Sequence, residues 1–133
     1  MSPAAYSGTP LPKKLGIQPE IVVLLRNAPQ DFAQTLGELP DGVRLRTDRR
    51  GRHDLGIWFV RSQSELQAGV TDMAAKLGRL GLWIAWPKLS SPLAGDLRED
   101  DVRRAGLAQG LVDFKVCAID QDWSGLKFQR RRK

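Results

Sequence analysis

The chain has 133 residues, 41% of them hydrophobic and 27% charged, which suits one domain around one core and leaves no room for a second. A single cysteine, Cys117, and a single histidine, His53, exclude an internal disulfide and a Cys/His zinc site, and the absence of any apolar run of secretory or membrane-spanning length predicts a cytoplasmic protein. With 21 Lys and Arg against 15 Asp and Glu the formal net charge is +6, a field that suits anionic partners: a small anionic molecule, an acidic protein surface or nucleic acid.

Residues 1–20 hold Pro3, Pro10, Pro12 and Pro19 with Gly8 and Gly16. Each proline removes a donor and biases its predecessor towards extended geometry, so this segment reads as an extended lead-in to a single α/β domain over residues 21–130. Residues 21–25 are an unbroken apolar run, the pattern of a strand buried on both faces. Pro29 and Asp31 suit the first turn of a short helix, with Phe32, Ala33 and Leu36 as its apolar stripe and Gly37 as its stop. Over residues 43–47 apolar and arginine positions alternate, so Val43, Leu45 and Thr47 face the core and Arg44 and Arg46 face outward from an edge strand. An arginine-rich loop follows, and residues 55–60 form a second buried strand.

Ser62 with Glu65 three residues on is a capping box, and Leu66, Val70, Met73, Ala74, Leu77 and Leu80 recur behind it at helical spacing. Residues 82–86 give a third buried strand, so strand, helix and strand form a parallel crossover unit. After a loop over residues 87–95, Asp96 and Glu99 predict a helix to about Gln109, with Gly110 as its stop. Residues 114–119 and 126–130 read as two strands joined by residues 120–125 into an antiparallel hairpin, followed by a basic tail at residues 131–133. The whole predicts a Rossmann-like three-layer sandwich, mostly parallel, with an antiparallel hairpin at its C-terminal end.

An open parallel sheet places ligands at the carboxyl ends of its strands. Asn27, Arg61, Ser62, Trp86, Lys88 and Ser90 occupy those ends and form the candidate ligand site. The plainer reading makes Ser62 a cap, Trp86 core, and Arg61 and Lys88 solvated. Arg44, Arg46, Arg49, Arg50 and Arg52 form a candidate polyanion-binding cluster, with edge protection as the structural alternative. Arg130, Arg131, Arg132 and Lys133 are either a polyanion-binding tail or a solubilising terminus. Trp123, in the expected hairpin turn, is either a partner-binding anchor or a lid over the sheet edge.

No glycine lies between Gly16 and Gly37, so the loop after the first strand lacks the dinucleotide fingerprint, and no cofactor is implied. Asp48 stands where a ribose-binding acid would follow the second strand, yet pairing with neighbouring arginines is the simpler role. There is no nucleophile elbow, Cys117 falls inside a strand and His53 sits in a loop, so no catalytic residue or metal ligand is nominated and the residues lean away from an enzyme while leaving that question open.

Tyr6-Ser-Gly-Thr-Pro-Leu, Lys13-Lys-Leu-Gly16, Trp83-x-x-Trp86-Pro-Lys88, Gly110-Leu-Val-Asp113, Lys115-Val-Cys-Ala118 and Trp123-Ser-Gly-Leu126 together resemble the bacterial domain-of-unknown-function family 3052. That resemblance implies no catalytic residues. More distantly, the second half resembles class I methyltransferases, in which a strand, helix, strand, helix unit closes with an antiparallel hairpin. There the loop after the first strand is rich in glycine, whereas this chain has Leu25-Arg-Asn-Ala-Pro29. The leading expectation is therefore a non-catalytic binding module for a small anionic ligand or a protein partner. A nucleic-acid-associated basic protein and a degenerate methyltransferase-like enzyme are the alternatives.

Overall fold

A computed structural model describes residues 9–48 and 50–131. In chain order its elements are α1 (Leu11–Leu15), β1 (Val22–Arg26), α2 (Phe32–Leu36), β2 (Arg44–Arg46), β3 (Leu55–Phe59), α3 (Gln63–Ala75), β4 (Leu82–Pro87), α4 (Glu99–Ala108), β5 (Leu111–Ala118) and β6 (Trp123–Arg130). The six strands form one sheet in the order β2-β1-β3-β4-β6-β5. The four strands from β2 to β4 pair in parallel, and β6 runs antiparallel to both β4 and β5. This is the expected Rossmann-like, mostly parallel α/β sheet with an antiparallel end.

The apolar runs become β1, β3 and β4 because each must bury side chains on both faces. Val23, Leu25, Leu55, Ile57, Phe59 and Trp83 pack on one side with Phe32 and Leu36 of α2 and with Leu11 and Leu15 of α1. Leu24, Trp58, Val60, Ile84 and Trp86 pack on the other with Leu66, Val70 and Met73 of α3 and Val102 of α4. The crossover through α2 runs from β1 to β2 and the crossover through α3 from β3 to β4, in opposite directions across the sheet, and they lie on opposite faces, the arrangement that a single crossover hand requires.

Several boundaries differ from expectation for identifiable reasons. The lead-in is not extended throughout: residues 11–15 form α1, which tolerates Pro12 in its first turn, where the missing N–H has no helical partner. Gly16 ends it in the left-handed region at φ 82°, and the buried Trp83 indole donates from Nε1 to the Leu15 carbonyl at 2.8 Å. The helix expected from Asp96 begins instead after Arg98, whose N–H donates to Asp101 Oδ2 at 2.9 Å, while Asp96 Oδ1 accepts from the Gln63 N–H at 2.9 Å. Strand β6 starts at Trp123, not after Gly125, so the hairpin loop shrinks to residues 119–122. Trp123 is accordingly core, its ring edge-on to Phe59 at 4.9 Å, and neither an anchor nor a lid. At the far edge, β5 shifts register between Asp113 and Lys115, a bulge at Phe114.

Candidate functional site

The chain steps from β1 outward to β2 and then back past β1 to β3, which makes the carboxyl ends of these strands the topological switch point. A cleft of about 590 Å³ opens there, lined by Leu25, Arg26, Asn27, Ala28, Pro29, Gln30, Phe32, Ala33 and Thr47. Of the candidate ligand residues, Asn27 is the one in this lining. Its backbone has φ 58°, in the left-handed region that a strand-to-helix turn commonly assigns to glycine. Asparagine enters that region more readily than other side chains, because its short amide bonds locally. Asn27 thus makes the turn that the missing glycines would make, and adds an amide at the cleft wall. Thr47, Gln30, Phe32 and Ala33 join the lining without having been singled out; the signal available was the register that brings the end of β2 beside β1.

The cleft floor is tied to the α3 face. The Arg26 guanidinium lies 5.1 Å from the Trp58 ring centre and 3.7 Å from Asp72 Oδ2, so its charge is matched on α3. Trp58 presses against Gly69 of α3, where an added Cβ would stand 2.5 Å from the ring.

The other candidates lie further along the same carboxyl edge. Ser62 caps α3, its Oγ accepting from the Glu65 N–H at 3.1 Å, while Glu65 Oε1 accepts from the Arg61 N–H at 2.9 Å. The Arg61 guanidinium stacks 5.4 Å from the Trp123 ring centre. Trp86 is buried in the core on the α3 side. The Lys88 N–H donates to the Asp122 carbonyl at 2.8 Å, and Ser90 is an exposed turn residue. Beside it, Ser91 is buried: its hydroxyl donates to Asp122 Oδ1 at 2.9 Å and accepts from the Leu93 N–H at 3.0 Å, fastening the loop after β4 to the hairpin. Asn27 and Arg61 therefore sit on neighbouring strand ends, whereas Ser62 and Trp86 are occupied in holding the fold.

The arginine cluster divides. Arg49 lies outside the described residues. Arg46 donates to the carbonyls of Arg52 at 2.9 Å and Asp48 at 3.2 Å, and also to that of Arg50, so it organises the loop after β2. Asp48 Oδ1 accepts from the backbone N–H of Arg50 at 2.9 Å, and this bond with the Arg50 side chain holds the Asp48 carboxyl below its ordinary value. Asp48 thus pairs with an arginine, as the simpler reading expected. Arg44, Arg46 and Arg52 line a second cavity, of about 350 Å³, with Val22, His53 and Asp54 at the amino ends of the strands. Burial, then the charge of Arg46, pulls the His53 imidazole below its usual value. Asp54 is committed: its Oδ2 accepts from the Val22 N–H at 2.8 Å and its Oδ1 from Arg79 Nε at 3.1 Å. At the tail, Arg130 Nη2 donates to the Ala74 carbonyl at 2.8 Å, binding β6 to the end of α3; Arg132 and Lys133 lie outside the described residues.

None of the residues lining the larger cleft is a carboxylic acid, histidine, cysteine or lysine, so the cleft can bind and orient but supplies no proton-transfer group of its own. Cys117 is buried, and burial pushes its thiol up, away from the thiolate that a nucleophile needs. Among the described residues no group of three or more His, Cys, Asp or Glu side chains is placed to hold a metal ion, and no helix is long and apolar enough to cross a membrane.

No family model matches the chain, so the resemblance to domain-of-unknown-function family 3052 gains no support, and no curated protein matches it. Solved structures do. A structure described as a putative type 11 methyltransferase from Sulfolobus solfataricus aligns over 92% of this chain and 90% of its own, with a TM-score of 0.61 and 15% identity. The magnesium protoporphyrin IX methyltransferase of Synechocystis PCC 6803 with bound SAM aligns over 91% of this chain and 74% of its own, with a TM-score of 0.57 and 12% identity. The same enzyme with bound SAH gives a TM-score of 0.55 at 12% identity, over 96% and 78% of the two chains. The distant likeness to class I methyltransferases therefore extends across nearly the whole chain, and at these identities it is a likeness of fold.

Proposed function

We propose that this chain is a methyltransferase-like protein that binds S-adenosylmethionine or its demethylated product in the cleft at the carboxyl ends of β1 and β2. The observation that carries the reading is Asn27, held at φ 58° at the switch point of a methyltransferase-type sheet. The cleft volume of about 590 Å³ falls within the range of small-molecule sites. The lining fits an S-adenosyl nucleoside better than a dinucleotide. A pyrophosphate seeks glycine-backed N–H groups at a long helix, whereas here Pro29 removes a donor and α2 has 5 residues. An S-adenosyl group carries no phosphate, and Leu25, Ala28, Phe32 and Ala33 offer apolar wall while Asn27, Gln30 and Thr47 offer hydrogen bonds.

When bound, the S-adenosyl group would supply an activated methyl on a sulfonium sulfur. The residues of the cleft would then orient it and exclude water, and an acceptor would have to arrive already nucleophilic, because the lining holds no general base. This reading takes precedence over a plain binding module, since the nearly chain-wide likeness to methyltransferase structures supports it. The nucleic-acid reading loses ground because Arg46 is spent inside its own loop.

Isothermal titration with S-adenosylmethionine and S-adenosylhomocysteine, with NAD as contrast, tests the proposal. Micromolar binding of either S-adenosyl compound and none of NAD is expected, with Asn27→Gly, which keeps the turn and loses the amide, weakening affinity by about threefold and Asn27→Val, which loses both, by at least about tenfold. Absence of heat with both S-adenosyl compounds at millimolar concentration, or equal binding of NAD, would overturn it.

A further inference from the structure

We infer that the second cavity, at the amino ends of β1 and β2, is a receptor for a small oxyanion bearing two or more negative charges, held by Arg44 and Arg52 beside His53. The site is separate from the carboxyl-end cleft and does not depend on its ligand.

The cavity exists because of an unusually short crossover. Parallel strands are usually joined by a dozen or more residues, most often a helix that covers the sheet. Here β2 returns across β1 to β3 through residues 47–54 alone, with no helix among the described residues. Leu24, the register partner of Arg46, belongs to the apolar cluster on the α3 side, so Arg44 and Arg46 project from that same side of the sheet. Where a crossover helix would cover an apolar surface, this edge carries guanidinium groups and a polar loop instead.

The charges within it are arranged for a ligand. Arg46 acts as a positioning residue: by holding the carbonyls of Asp48, Arg50 and Arg52 it folds the loop back on itself and brings Arg52 round to the cavity that Arg44 lines. Asp54, the one carboxylate in the lining, is taken up by Val22 and Arg79. Neither the Arg44 nor the Arg52 side chain has a carboxylate partner among the described residues. Two forked cations and the His53 imidazole thus line a concavity of about 350 Å³, near the lower end of the range for small-molecule sites. A planar or tetrahedral oxyanion matches guanidinium forks, and di- or polyanionic charge is what would neutralise them. A duplex needs a run of outward cations along its phosphates, whereas these converge on one hollow.

The test is calorimetric titration of the whole protein at low salt with pyrophosphate, citrate and a short DNA duplex. The expected result is saturable binding of pyrophosphate or citrate, lost by at least about tenfold in Arg44→Ala and in Arg52→Ala and kept in Arg104→Ala, a matched removal of an exposed charge from α4. Preference for pyrophosphate over citrate would identify a phosphate ligand, and the reverse a carboxylate. Unchanged thermal midpoints in the two cavity variants keep loss of binding distinct from loss of fold. Absence of binding of both small anions at millimolar concentration would overturn the inference, as would equal weakening in Arg104→Ala or duplex binding that neither small anion displaces.

Discussion

Replacing Gly69 by alanine should destabilise the protein even though alanine is the better helix former. In the interior of α3 that exchange by itself favours folding by about 1 kcal/mol. The new Cβ, however, would lie 2.5 Å from one carbon of the Trp58 ring and 3.0 Å from a second, with Arg26 Nη1 at 3.2 Å. Trp58 is 1% exposed at the centre of the sheet, and a rigid indole in close packing cannot swing aside as a surface lysine would. Overpacking of this kind costs about 1–3 kcal/mol, and more where the obstacle is a ring, so a net loss of about 1–2 kcal/mol remains. For a chain of this length that lowers the thermal midpoint by roughly 3–8 °C in calorimetry. Trp58→Phe removes the obstructing ring edge, together with an indole N–H that is buried without a hydrogen-bond partner among the described residues. The double variant should therefore be more stable than the sum of the two single changes predicts. A Gly69→Ala protein as stable as the parent, or strict additivity with Trp58→Phe, would refute the contact-based argument.

Three further predictions rest on separate contacts. Ser62→Ala removes the acceptor for the Glu65 N–H and should cost about 1 kcal/mol, read as a shift of the urea midpoint at unchanged slope, with Ser62→Asp restoring most of it. Asp54 accepts the Val22 N–H, and that bond, aided by Arg79, lowers its folded value. The stability it adds is therefore fully present above the ordinary carboxylate range and drains away as pH falls through the lowered folded value. Urea midpoints between about pH 5 and 2 should accordingly fall less steeply in Asp54→Asn, and parallel acid arms would rule the linkage out. Arg46→Ala frees the carbonyls of Asp48, Arg50 and Arg52, so amide exchange and proteolytic nicking should rise in residues 47–53 and hardly at all in β1 or β3; protection spread evenly over the domain would contradict it.

What the sequence disclosed depended on how local the physics was. The runs at β1, β3 and β4 are legible because a doubly buried strand has no polar positions, and α3 because Ser62 and Glu65 announce its start. Helix α1 was hidden by its prolines, which read as breakers until Pro12 is seen in the first turn. Trp123-Ser-Gly reads as a turn, but pairing with Pro87, Trp86 and Ala85 of β4 carries the strand through it. The turn at Asn27 was legible only as a lack of glycine, since the left-handed backbone that substitutes for it is a conformation and not a residue type. The division of the arginine cluster was out of reach, because whether Arg46 faces solvent or its own loop is settled by the path of residues 47–54.

Strands β2 and β5 are the two margins of the sheet, and each is unsuited to being copied. An incoming strand could match β2 over its 3 residues before the chain turns away. Along β5, where Phe114 and Val116 are 55% and 50% exposed, the bulge breaks the even spacing of backbone donors in the middle of the apolar stretch. A neighbour that began to zip against Val112 would fall out of step two residues later, at Phe114, so the exposed apolar side chains of this margin are not backed by the continuous ladder that fibrous association requires.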